Sequence, residues 1–90
     1  MKAFIIERAL PGIGSAGEAN LAAAASTSNT AIKQLAPSVQ WLHSYVTADQ
    51  TYCVYLAENE AAIREHARIS GFPVTKVTPI TGRIDPTTAG

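Results

Sequence analysis

The stretch Val39–Leu56, VQWLHSYVTADQTYCVYL, constrains this chain more than any other part of it. Two runs rich in β-branched and aromatic residues flank Thr47-Ala48-Asp49-Gln50, which is the pattern of an antiparallel hairpin. A two-residue turn at Ala48-Asp49 sets Thr47 opposite Gln50. Alternation then puts Leu42, Ser44, Val46, Thr51, Cys53 and Tyr55 on one face. Trp41, His43, Tyr45, Tyr52, Val54 and Leu56 fall on the other. The first set is small enough to pack beneath helices. The second is a broad aromatic and aliphatic surface around one imidazole, expected on an open sheet face.

The flanking segments supply the remaining elements. Ala3–Glu7 is an apolar run closed by charge and predicts a first strand. Leu10-Pro11-Gly12-Ile13-Gly14 is a loop. Ser15 and Glu18 have the spacing of a capping box. Leu21, Ala25, Ser28, Ile32 and Leu35 then trace a narrow helical stripe, which Ala36-Pro37 ends. After the hairpin, Asn59 caps a helix over Glu60–Ser70 that Gly71 stops. His66 lies in the middle of that helix's apolar arc, with Ala62, Ile63, Ala67 and Ile69. Pro73–Ile80 predicts a last strand, and Pro79 assigns it to a sheet edge. Gly82–Gly90 reads as an extended tail with a short strand at Arg83-Ile84.

The order β-α-β-β-α-β predicts one α+β domain over residues 1–90, with ferredoxin-like topology. Right-handed crossovers place both helices on one face of a four-stranded antiparallel sheet. The bare face must be polar, bind a ligand or meet a second subunit. Composition agrees with a small globule: 47% of the residues are hydrophobic and 16% charged. Formal net charge is zero, which argues against nucleic acid as a partner and favours self-association. A homodimer through the open face is therefore expected. No run has membrane-spanning length, and MKAFIIER is too short for a signal-peptide core. A lone cysteine suits a reducing compartment, so the expected location is cytoplasmic.

Several residues carry possible chemistry. Gly12-Ile13-Gly14-Ser15-Ala16-Gly17 matches G-x-G-x-x-G, but no acidic residue follows about 20 positions later and no parallel βαβ unit is present. A loop and helix start is the better reading. His43 suits a metal ligand, a general base, or an interface histidine bonded to a tyrosine. His66 suits a core histidine or a ligand, and Cys53 a small core residue or a thiolate for nickel, copper or zinc. Cys53 and His66 both face the sheet–helix layer, whereas His43 faces away, so strand parity disfavours one site built from all three. Trp41, Tyr45 and Tyr52 suit an interface core or an aromatic pocket.

The segments Phe4-Ile5-Ile6-Glu7-Arg8, Leu10-Pro11-Gly12, Trp41-Leu42-His43-Ser44-Tyr45-Val46 and Tyr52-Cys53-Val54-Tyr55 resemble one known family. Ile63-Arg64-Glu65-His66-Ala67, Gly71-Phe72-Pro73 and Ile84-Asp85-Pro86-Thr87-Thr88 extend the likeness over nearly the whole chain. It is a family of small bacterial ferredoxin-like proteins, long of unknown function, that includes a streptomycete nickel-binding protein. The resemblance implies a homodimer and nickel held for sequestration or buffering, with His43, His66 and Cys53 as metal-capable side chains. The chain departs from the family around Gly14–Gly17 and in its Ala-rich first helix. The alternative is a small dimeric α+β enzyme, of monooxygenase or isomerase type, with His43 in an aromatic pocket on the open face.

Overall fold

A computed structural model describes residues 1–90. Its elements are β1 (Lys2–Ala9), α1 (Glu18–Leu35), β2 (Val39–Val46), β3 (Gln50–Ala57), α2 (Glu60–Ser70) and β4 (Lys76–Ile80). Short 3-10 turns lie at Ile13–Ser15 and Pro86–Ala89. The four strands form one antiparallel sheet in the order β2-β3-β1-β4. This is the expected α+β ferredoxin-like arrangement. β4 is an edge strand, where the missing N–H of Pro79 costs no internal ladder bond.

Alternation drives the burial. Phe4, Ile6 and Arg8 of β1, with Thr51, Cys53, Tyr55 and Ala57 of β3, lie under the helices. Ile63 of α2 seals the centre, and Ile32 and Leu35 of α1 pack on its rim. Fully burying such an aliphatic side chain contributes roughly 1.5–3 kcal/mol. Asn59 accepts the amide of Ala62 at the start of α2, and Gly71 ends the helix in the left-handed region at φ 80°.

Four expectations need correction. Trp41 does not share the open face with His43. The register runs Trp41↔Tyr55 and then His43↔Val54, so Leu42 is an extra residue in a β-bulge. The bulge reverses parity on one side, turning Trp41 toward the helices, where its indole Nε1 donates to Ser44 Oγ at 3.0 Å. The Ser15–Glu18 capping box does not form either. Gly17, at φ 87°, precedes the helix, and Ser15 Oγ donates to the Gly12 carbonyl instead. The last strand begins only at Lys76, because the segment before it bonds to the end of β1: Pro73 O accepts from Arg8 and Thr75 Oγ1 from Ala9 N. Finally, Arg83-Ile84 is not a strand, and the tail closes in a 3-10 turn whose Asp85 accepts the Thr87 amide.

The bulge makes a direct prediction. Deleting Leu42 restores one-to-one pairing without moving any other residue to the opposite face. The deletion variant should fold with Trp41 emission still blue-shifted. A red-shifted, water-like emission would show that the bulge is not what sets the indole's side.

The glycines of the G-x-G-x-x-G stretch serve the loop between β1 and α1. Gly12 adopts φ 78°, and Gly14 donates its amide to Ala48 O at 3.0 Å. A Cβ on Gly14 would stand 2.7 Å from the carbonyl oxygen of Thr47. With Leu10 N bonded to Asp49 O and Gly12 N to Asp49 Oδ1, this loop is stitched to the hairpin turn rather than open to a phosphate.

Candidate functional site

On the open face, cross-strand registers place His43 beside Val54, Val54 beside Ile5, and Ile5 beside Thr78. The next row holds Tyr45, Tyr52, Glu7 and Lys76. His43 is exposed, and its ring meets Tyr45 edge-on at 5.2 Å between centroids. Glu7 is one strand further away and accepts from Gln50 Nε2 at 3.3 Å. Strand β3 thus separates the nearest carboxylate on β1 from the imidazole. The open face presents His43 as a donor with free approach and gives it no second ligand from its own chain.

The interior contains a different arrangement. Ser28 of α1 lies between Tyr55 of β3 and His66 of α2, with Oγ 3.3 Å from the phenol oxygen and 3.2 Å from Nε2. All three side chains are buried. Burial and then the nearby Arg8 guanidinium push the His66 pKa down to about 4, against a smaller upward pull from Ser28. The imidazole is therefore neutral at pH 7. Desolvation raises the Tyr55 phenol, with the Ser28 hydrogen bond acting the other way. Cys53 is also buried, and its Sγ donates to Thr51 Oγ1 at 3.6 Å.

Arg8, which sequence reasoning passed over, is 2% exposed. One of its guanidinium nitrogens, Nη1, donates to Pro73 O at 2.9 Å. Its charge also sits 5.6 Å from the Phe72 ring centre and 6.0 Å from that of Tyr55. Parity with Phe4 and Ile6 was the available signal, since a strand residue two positions after a core residue shares its face.

These positions decide which chemistry is possible. His43, Cys53 and His66 do not converge, and nowhere do three or more His, Cys, Asp or Glu side chains gather in metal-binding geometry. A divalent cation fits poorly beside Cys53 and His66, because the buried guanidinium would repel it and Ser28 already engages His66 Nε2. Ser28 and His66 have the spacing of a nucleophile and its base, but His66 Nδ1 has no partner to orient it. Trp41 does line a cavity, on the helix side, with Arg8, Ser28, Cys53 and Tyr55. His43, Tyr45 and Tyr52 are on the opposite side of the sheet from it.

The family described as nickel responsive protein SCO4226-like matches residues 4–80, from β1 to the last residue of β4. The chain belongs to this family. The crystal structure of SCO4226 from Streptomyces coelicolor A3(2) superposes with a TM-score of 0.76 at 14% identity, covering 91% of this chain and 99% of that one. At that identity the likeness of SCO4226 shows the shared fold. No curated protein matches the sequence. Within the SCO4226-like frame, the metal-capable residue open to solvent here is His43, while Cys53 and His66 belong to the core. No helix is long and apolar enough to cross a membrane.

Proposed function

We propose that this SCO4226-like protein is a non-enzymatic homodimer that takes up nickel at its open sheet face and buffers it. The supporting observation is the exposed imidazole of His43 on a face that also carries Ile5, Val54, Leu56 and Tyr52. Those apolar neighbours suit contact with a second copy. Because one chain offers a single donor there, a twofold pairing would bring a second imidazole and leave water or a carboxylate to complete the coordination. Nickel is cargo in this reading.

Calorimetry with nickel on wild type and His43→Ala, beside molar mass in solution, tests the proposal. Wild type should release heat as a dimer, and His43→Ala should bind at least about tenfold more weakly, since losing even an outer-shell partner of a metal ligand costs about that much. A monomeric wild type, or an alanine variant with unchanged heat, removes the assignment.

A further inference from the structure

The cavity between α1 and the sheet has a volume of about 210 Å³ and is lined mostly by apolar side chains. Leu21 and Ala25 line it from α1, Trp41 and Tyr55 from the sheet, and Arg8 completes the lining beside Tyr55. Val46, 44% exposed, stands at its solvent end. The Ala-rich helix explains the space, because alanine methyl groups leave volume that larger side chains would fill.

Arg8 gives the cavity its chemistry. Its Nη2 is buried and has no hydrogen-bond partner. No Asp or Glu is buried, and none of the three ion pairs in the molecule includes Arg8. The guanidinium is thus an interior cation beside the Phe72 and Tyr55 rings, the Tyr55 phenol and the Pro73 carbonyl, with no counter-charge. The other polar groups along the wall are already engaged. Ser28 is bonded to Tyr55 and His66, Ser44 to Trp41, and Thr51 to Cys53.

We infer that this cavity binds a small organic monocarboxylate, with its aromatic or branched aliphatic body against Leu21, Ala25 and Trp41 and its carboxylate on Arg8. Arginine binds carboxylates in a planar, charge-assisted geometry, and a carboxylate beside Arg8 supplies the counter-charge the guanidinium lacks. Size narrows the class. An apolar cavity of about 150 Å³ accommodates benzene, so 210 Å³ leaves room for a six-membered ring with a carboxylate attached. This site is independent of nickel, since His43 is on the other face of the sheet.

Trp41, the chain's only Trp, reports occupancy by fluorescence. Benzoate and phenylacetate should each change its emission saturably at neutral pH, equally with and without nickel. Acetate and inorganic phosphate, which lack the body, should not. Arg8→Met, checked for folding by circular dichroism, should weaken benzoate by roughly tenfold to a hundredfold, as loss of a charged hydrogen bond implies. It should leave binding of benzyl alcohol, a neutral analogue, intact. Ala25→Leu, which keeps Arg8 and fills the cavity, should abolish both. No response to either aromatic acid, phosphate competing with benzoate, or an unchanged benzoate affinity in Arg8→Met overturns the assignment.

Discussion

Acidification from pH 6.5 to pH 4 should remove roughly 3 kcal/mol of folding stability through one residue, His66. Its folded pKa of about 4 lies below the ordinary 6.5. Above that ordinary value the ring is neutral in both states, and its contribution to stability is fully present. As pH falls through the window, the unfolded chain takes up a proton that the buried ring refuses, so stability declines until the folded pKa is reached. Desolvation is the main cause. The groups facing the ring are the Arg8 guanidinium from β1, the Tyr55 phenol from β3, 5.0 Å between centroids, and Ser28 from α1. Urea unfolding at several pH values in this range checks the slope. His66→Gln should be nearly flat where wild type falls steeply, and equal slopes for the two would show that the acid sensitivity arises elsewhere.

Arg8→Met should raise stability by an amount on the order of the 1–4 kcal/mol reached when well-packed apolar side chains replace a buried ion pair. For a domain this size each kcal/mol moves Tm by about 4–8 °C. The contest is between desolvation and compensation. Two ring faces contribute up to about 2 kcal/mol each when dry, and the Pro73 carbonyl adds one charged hydrogen bond. Burying an unpaired ion costs several kcal/mol, and Nη2 gains nothing in return. The second effect follows from the first. Without the guanidinium, His66 is easier to protonate, so the acid window should narrow in the same variant. Thermal melts at neutral pH decide the matter, and a lower Tm for Arg8→Met would mean that the ring contacts and the carbonyl outweigh desolvation.

Much of this architecture is legible in the residues. The hairpin turn, the Asn59 and Gly71 caps, the inward His66 and the edge position of Pro79 all follow from local chemistry that the tertiary structure leaves intact. The side taken by Trp41 does not. It depends on one extra residue, Leu42, and no Gly or Pro marks the bulge; the adjacent apolar pair Trp41-Leu42 is only one of several breaks in alternation along β2, so it does not single out the bulge. The Ser15–Glu18 spacing misleads because hydrogen bonds to the hairpin turn claim the loop first, leaving Gly17 to start the helix. Arg8 is the instructive miss. Its charge suggested a strand end at the surface, while its register with Phe4 and Ile6 pointed to the core, and register prevailed.

The margins of the sheet carry a further consequence. β4 offers Pro79, which has no amide to donate, and β2 is distorted by its bulge at Leu42. Neither rim is a smooth template for another strand, so ribbon-like polymerisation is discouraged at both ends.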